Sequence, residues 1–199
     1  MGCKPASTPM EVNVDLWFDD SHPLDDPGRY RRSIGKLIYL KVTRPNITFV
    51  VGVLSRFMHE PRKAHWSVAL RILAYIKSCP RKGLVYKKYG HVHVSGYSDS
   101  GYAGDREDRK STTGHCTFIG ENLVTWRSKK QDVVSRSSAE AEYRVMAHTA
   151  CEMVWRKILL MEFGFRKPGV MHIHCANQSA IYIAQNPVFH ERTKHIEFE

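Results

Sequence analysis

Apolar residues recur at helical spacing in three runs of the first half of the chain. Tyr30, Ile34 and Leu37 follow one another at intervals of four and three, which places them on one face of a helix. The pattern breaks at residues 43–46, resumes from 47 to 59, and gives a third amphipathic face from 66 to 76. Cys79-Pro80 then ends it. The spacing predicts three helices with short connections within residues 27–78.

After Gly83 the apolar positions alternate, which is typical of strands. The alternation predicts strands at residues 84–88, 92–99, 113–119 and 123–126, with a hairpin turn at Gly120-Glu121-Asn122. A long helix from Ser137 or Ser138 to about residue 163, a strand at 170–175 and a helix at 177–185 follow. This order predicts an α/β sheet whose first strands are antiparallel and whose last strand is reached by a helical crossover.

The first 26 residues are polar and rich in proline, without an apolar period, which predicts an extended tether. The predicted organisation is therefore a tether at 1–26, a helical segment at 27–82 and a sheet domain at 83–199. No run of the chain approaches the roughly 20 apolar residues of a membrane span. The five cysteines form no CxxC pair, which favours reduced thiols in a cytoplasmic or nuclear protein.

The net charge of +10 is concentrated in the middle of the chain. Residues 29–90 hold fifteen Lys and Arg against one acid, Glu60, whereas residues 91–199 hold fourteen basic and thirteen acidic residues. A positive field of that density favours a polyanionic partner, and nucleic acid is the commonest one. The alternative is a solvated basic helix surface without a partner.

Two short stretches carry candidate chemistry. Asp99 closes a predicted strand beside small residues, where a carboxylate can reach a metal ion, although an Asp-Gly loop that turns the chain would have the same sequence. Glu140 and Glu142 begin the long predicted helix and point to different faces of it, although capping alone would also explain them. A zinc site at residues 172–177 is disfavoured, because no second ligand pair has zinc spacing.

Several strings are specific enough to identify a family. YSDSGYAG at 97–104, WRSKK at 126–130, SRSSAEAEY at 135–143 and RTKHIE at 192–197 resemble the ribonuclease H signatures of copia-type LTR retrotransposon Pol polyproteins. YRRSIGKLIY at 30–39 and TRPNI at 43–47 resemble the thumb and connection region of the preceding reverse transcriptase. The chain is thus similar to a C-terminal stretch of such a polyprotein. No Tyr-x-Asp-Asp string of the polymerase palm occurs, so no polymerase activity is expected.

The resemblance implies a ribonuclease H-like mixed sheet with helices, incomplete at its C-terminus, preceded by a small helical thumb and connection segment. It also implies a site for two Mg²⁺ ions that cleaves the RNA strand of an RNA–DNA hybrid. Asp99 matches the first metal-binding acid, and Glu142 the second, with Glu140 as the alternative. Ala176 stands where the family has a third acid, and the helix with a fourth acid is missing. Cleavage is therefore expected to be impaired or lost.

The resemblance favours a degenerate ribonuclease H-like fragment, in which binding to an RNA–DNA hybrid or a duplex, without sequence preference, is expected to survive. One alternative is a non-catalytic nucleic-acid-binding module. The expected partner is nucleic acid, with the rest of a Pol polyprotein as a second candidate and no membrane partner. An alternative is a domesticated fragment that acts as a protein-interaction module or effector. The basic residues expected to contact phosphates are Arg62, Lys63, Arg71, Lys77, Arg81, Lys82, Lys129, Lys130, Arg192 and Lys194.

Overall fold

The computed structural model describes residues 3–12, 14, 16–17, 21–165 and 169–186. The chain forms two compact units, residues 1–84 and residues 85–199. Within the described residues, no helix is long and apolar enough to cross a membrane. All five cysteines are free thiols, as the sequence predicts.

The first unit is helical, as the apolar spacing predicts. Helix α1 spans Pro27–Leu40, α2 spans Thr48–Leu54 and α3 spans Lys63–Ser78, and short 3-10 turns at Pro45–Ile47 and Ser55–Phe57 flank α2. Asp26 caps α1 by accepting a hydrogen bond from the backbone N–H of Arg29 at 2.8 Å. The helices bury a common core, whose fully buried members include Tyr30, Ile34, Ile47, Leu54 and Ile72.

The N-terminal segment runs extended, but it is not a free tether. Leu16 is 1% exposed within the core of the helical unit. The backbone N–H of Ala6 donates to the carbonyl of Ala74 in α3, and the guanidinium of Arg71 binds the carboxylate of Glu11 at 2.6 Å. The structure differs from the tether prediction in this respect, because Leu16 and a few contacts with α3 anchor a segment that otherwise stays largely exposed.

The second unit is a four-stranded mixed sheet with helices. Its elements are β1 (Val94–Gly101), β2 (Thr112–Ile119), β3 (Asn122–Lys130), α4 (Ser138–Glu162), β4 (His172–Cys175) and α5 (Gln178–Gln185). The strand order is β3-β2-β1-β4, with β1 antiparallel to β2, β2 antiparallel to β3, and β1 parallel to β4. The predicted antiparallel start and helical crossover to a parallel strand are thus confirmed.

The β2–β3 hairpin closes on two residues, Gly120 and Glu121, which both have positive φ, at +53° and +64°. Two successive positive φ angles are the signature of the type I′ turn that suits the twist of a hairpin. The predicted turn is therefore confirmed. The predicted strand at 84–88 is wrong, because the backbone of Lys87 is hydrogen bonded to the side chain of Asn122 rather than to a neighbouring strand.

Helix α4 lies directly across β1, and Gly96 makes this approach possible. A Cβ atom at Gly96 would lie 2.7 Å from the sulfur of Met153 and 2.9 Å from the Cγ2 methyl of Thr149, both in α4. Met153 and Val94 belong to the core between helix and sheet. The absence of a side chain at this position therefore brings the first turn of α4 to the end of β1.

Candidate active site

The two predicted acids both lie near the C-terminal end of β1. Asp99 is exposed on β1, where it pairs with Gly114 of β2. Glu142 is buried at 7% exposure in the first turns of α4. Its Oε1 accepts a hydrogen bond of 3.1 Å from the backbone N–H of Ser100, the residue that follows Asp99. One carboxylate is thus fixed against the strand that carries the other.

The environment of Glu142 disfavours its charged form. Burial raises the pKa of the Glu142 carboxyl above its ordinary value, and the negative charge of Asp99 adds to this effect. The hydrogen bonds from Ser100 and from the thiol of Cys175 act in the opposite direction without outweighing burial. Shifted carboxyl pKa values of this kind are common at functional sites.

Glu140 has a different, structural role. Its Oε2 accepts a 2.8 Å hydrogen bond from the backbone N–H of Arg136, and its backbone N–H donates to the hydroxyl of Ser137 at 3.1 Å. Its Oε1 also lies 3.1 Å from the guanidinium of Arg144. The carboxylate is therefore used at the N-terminus of α4, in a hydrogen bond to the backbone and in an ion pair. Of the two acids, Glu142 is the one adjacent to the strand of Asp99.

The end of β4 supplies the third side of the site. Cys175 lies opposite Ser98 of β1, and its sulfur is 3.8 Å from Oε2 of Glu142. Asn177 caps α5 by accepting a hydrogen bond from the N–H of Ala180 at 3.0 Å. Ala176, between these two residues, has only a methyl group to offer. It lies with Asp99 on the wall of an open cavity of about 600 Å³.

Sequence reasoning did not identify the neutral neighbours of the two acids. The backbone of Ser100 and the thiol of Cys175 both contact Glu142, and each is adjacent in sequence to a position that was singled out, Asp99 or Ala176. The ring of Tyr97 stacks on His174 with centroids 4.6 Å apart, and both rings line the same cavity. Cross-strand register places these two rings together, and the sequence carries no signal for that pairing.

The residues present do not fit a two-metal centre. Such a centre needs several carboxylates to hold and neutralise two ions. Over the described ranges, no group of three His, Cys, Asp or Glu side chains is placed to hold a metal ion. Asp99 and Glu142 provide two carboxylates, and Ala176 provides no ligand atom. The expected Mg²⁺ site stays a prediction, and no chemical step is derived from it.

Several of the predicted phosphate contacts are used within the protein. Arg71 binds Glu11 and the hydroxyl of Thr8, and the ammonium of Lys77 donates to the carbonyl of Cys3 at 2.9 Å. A guanidinium nitrogen of Arg62, at the start of α3, donates to the carbonyl of Ser21 at 3.2 Å. The N-terminal segment therefore occupies much of the basic face of α3.

The predicted contacts in the sheet unit differ in how far they are neutralised. Lys130 lies 2.8 Å from Asp105 and 2.7 Å from Asp108. Partial burial lowers the pKa of its ammonium, but the hydrogen bonds to these carboxylates outweigh burial and raise it. Lys129 is exposed, 3.6 Å from Asp132. Lys129 and Lys130 line a second cavity of about 260 Å³.

Three predicted contacts, Lys63, Arg81 and Lys82, are exposed and make no ion pair with any residue that the structure describes. These three cations, all in the helical unit, are therefore available to a ligand. Arg192 and Lys194 lie outside the described residues.

Comparison with known proteins points to one group of polyproteins. The chain is 43% identical over 98% of its length to the retrovirus-related Pol polyprotein from transposon RE1 of Arabidopsis thaliana. It is 38% identical over 98% of its length to the corresponding polyprotein from transposon TNT 1-94 of Nicotiana tabacum. It spans only 13% and 15% of the length of these two relatives.

A shorter relative matches over most of its own length. The secreted RxLR effector protein 161 of Plasmopara viticola is 41% identical over 63% of this chain and 89% of that protein. No family model matches the chain.

Proposed function

Because the chain belongs to the family of retrotransposon Pol polyproteins, we propose that it is a ribonuclease H-like fragment whose cleavage activity is lost or strongly impaired. The observation that carries this proposal is that Asp99, Glu142 and Ala176 all lie at one end of the sheet, with carboxylates at only two of the three positions. A mixed sheet with the order β3-β2-β1-β4 and a helix on β1 supports a ribonuclease H-like fold.

The proposed loss of activity follows from charge. Two divalent ions bring four positive charges to one site, and each ion contributes several kcal/mol to transition-state stabilisation. Asp99 and Glu142 offer two negative charges at most, and burial already favours the neutral form of Glu142. Ala176 cannot substitute for a carboxylate. The backbone N–H of Ser100 orients the Glu142 carboxyl, and the Asp99 side chain is exposed to solvent.

Binding is proposed to survive the loss of cleavage. The ligand would be an RNA–DNA hybrid or a duplex, held through phosphates without sequence preference. Lys63, Arg81 and Lys82 support this proposal, because they are exposed and carry charge that no described carboxylate neutralises.

The test of the proposed loss of cleavage is an assay on an RNA–DNA hybrid labelled on the RNA strand, with Mg²⁺ or Mn²⁺. The protein is compared with Asp99→Asn, which changes one oxygen of an exposed side chain and should fold normally. Equal background cleavage by the two proteins is expected. Cleavage that falls with Asp99→Asn would show a working site and overturn the proposal, whereas cleavage that persists in both proteins would indicate a contaminating nuclease.

A second candidate function is an effector role through protein interaction. The effector of Plasmopara viticola, which is matched over 89% of its length, favours it. Exposed apolar side chains on α4, namely Val154, Trp155 and Ile158, could serve such contacts. Hybrid binding separates the two candidates: a protein that does not bind a labelled hybrid at low salt would favour the effector role.

A further inference from the structure

A segment of the sheet unit that lacks regular secondary structure is nevertheless fixed in place. Residues 85–93 run beside the β2–β3 hairpin. The side chain of Asn122 accepts a 2.7 Å hydrogen bond from the N–H of Lys87 and donates a 2.8 Å bond to its carbonyl. The N–H of Gly120 donates to the carbonyl of His93 at 3.0 Å. The side-chain amide of Asn122 thus pairs with both the N–H and the carbonyl of Lys87, as a neighbouring strand would.

The space for this arrangement comes from Gly120. A Cβ atom at this position would lie 2.4 Å from the carbonyl oxygen of His91. The backbone of the segment and the hairpin turn therefore approach each other more closely than any other residue type would permit. The turn therefore joins β2 to β3 and also holds residues 85–93 in place.

The side chains on this fixed backbone project into solvent. Tyr86 is 59% exposed and Tyr89 is 44% exposed, while Lys87 and Lys88 between them are also exposed. Neither tyrosine forms a ring contact or a side-chain hydrogen bond with a residue in the described ranges. Two aromatic rings and two ammonium groups are thus presented together without an internal use.

The two lysines also differ from several other cations of the sheet unit. Lys130, Arg144 and Arg156 each lie within 3.1 Å of a carboxylate oxygen. Lys87 and Lys88 form no ion pair with any residue that the structure describes. Residues 61–98 contain no Asp or Glu at all. The acid at the turn, Glu121, faces His91 at 3.9 Å. The positive charge of the segment is therefore uncompensated.

We propose that Tyr86, Lys87, Lys88 and Tyr89, held on the hairpin by Asn122, bind single-stranded nucleic acid. The lysines contact phosphates, and the tyrosine rings stack on bases. A duplex buries its base faces, so exposed rings gain stacking energy only from an unpaired strand. This inference goes beyond the proposed hybrid binding in both ligand and surface, and it does not depend on Asp99, Glu142 or the cations of the helical unit.

The test measures the affinity of the full chain for fluorescently labelled oligo(U) and oligo(dT), and for a labelled RNA–DNA hybrid, by anisotropy at several salt concentrations. Tyr86→Ala/Tyr89→Ala is expected to weaken single-strand binding about ten-fold or more, with the hybrid affinity unchanged. Lys87→Ala/Lys88→Ala is expected to flatten the slope of log K against log salt by about 1.4, which corresponds to two phosphate contacts.

Two further variants show whether the loss of affinity comes from base stacking, from the position of the segment, or from the removal of any exposed ring. Tyr182→Ala removes a ring of similar exposure, 56%, on α5, and should leave single-strand binding unchanged. Asn122→Ala should lower single-strand affinity without removing any side chain that contacts the ligand. The thermal unfolding midpoint of each variant confirms folding, and the exposed tyrosines are not expected to shift it.

Several results would overturn the proposal. They are no single-strand binding by the unsubstituted chain at low salt, wild-type affinity in the double tyrosine variant, or an equal loss of hybrid and single-strand binding in that variant. A chain that binds oligo(U) but not the hybrid would instead contradict the proposed hybrid binding and leave this inference supported.

Discussion

Two glutamates separated by one alanine have different environments. Glu140 accepts the N–H of Arg136 and pairs with Arg144, whereas Glu142 accepts the N–H of Ser100 at the end of β1. Residues two apart on a helix point in different directions, so the sequence predicts that their environments differ. Which of them lies against β1, the strand of Asp99, depends on where the sheet lies relative to α4, and only the folded structure determines that.

The buried carboxyl of Glu142 gives a pH-dependent stability. Its pKa is raised in the folded state by burial and by Asp99, so folding favours its protonated form. The resulting stabilisation is complete below the pKa of an unfolded glutamate and is lost as the pH rises through the raised folded pKa. Glu142→Gln, which stays neutral and keeps an acceptor for Ser100, is therefore expected to be more stable than the unsubstituted protein at pH 7.

Thermal unfolding at pH 4 and pH 7 tests this expectation. The gain in melting temperature from Glu142→Gln should be present at pH 7 and should shrink or vanish at pH 4, where the glutamate itself is protonated. Glu140→Gln provides the contrast, because it weakens the ion pair with Arg144 and should not stabilise the protein at either pH. A Glu142→Gln protein that is less stable at pH 7 would show that the carboxylate is stabilising as a charge.

At the scale of elements, the site depends on how closely α4 lies on β1. Helix α4 has 25 residues, and its buried positions include Val145, Thr149 and Met153. Thr149 donates its hydroxyl hydrogen to the carbonyl of Val145, so this buried hydroxyl is paired. The close packing at Gly96 determines the height of α4 above the sheet, and with it the position of Glu142.

Gly96→Ala is expected to destabilise the sheet unit by about 1–3 kcal/mol, the usual cost of overpacking a well-filled core. The added methyl would meet the side chains of Met153 and Thr149 at 2.7 and 2.9 Å. Urea denaturation followed by circular dichroism measures the change. Gly35→Ala, at a helical position with open space around it, is the matched control and should not be destabilising. An unchanged midpoint in Gly96→Ala would mean that Met153 moves aside freely.

The elements were largely predictable, and the exceptions have identifiable causes. The helices and most strands follow from apolar periodicity, and the hairpin turn follows from a glycine between two alternating runs, although Glu121 is not a residue type that favours positive φ. The segment 84–88 alternates as a strand does, yet no strand pairs with it, because the side chain of Asn122 satisfies the backbone of Lys87. Sequence pattern measures local preference and does not report whether a partner strand is present.

At the scale of the whole molecule, some of the basic side chains form ion pairs within the protein and others are exposed without one. The N-terminal segment, which carries Glu11, neutralises part of the basic face of α3 through Arg71. Lys130 binds two carboxylates of the sheet unit. The exposed remainder includes Lys63, Arg81 and Lys82. The net charge of +10 therefore overstates the number of cations that can meet a phosphate.

Hybrid binding should be salt-dependent in proportion to these exposed cations. Each neutralised phosphate contributes about −0.9 to the slope of log K against log salt. A triple Lys63→Ala/Arg81→Ala/Lys82→Ala variant should therefore flatten the slope by about 3. Arg71→Ala, whose guanidinium is already paired with Glu11, should flatten it by much less than 1. Equal effects of Arg71 and the exposed cations would show that internal pairing does not limit phosphate contact.

The sequence by itself determined the family, the order of helices and strands apart from the strand expected at 84–88, the position of Asp99 and Glu142 in the chain, and the absence of a carboxylate at Ala176. These are properties of residue identity and local spacing, which the sequence records directly. Only the tertiary structure decided that Glu142 rather than Glu140 meets β1, that the N-terminal segment covers α3, and that Tyr86 to Tyr89 are held on the hairpin by Asn122. Each of these depends on contacts between residues far apart in sequence, whose formation is set by packing and hydrogen bonding in the folded chain.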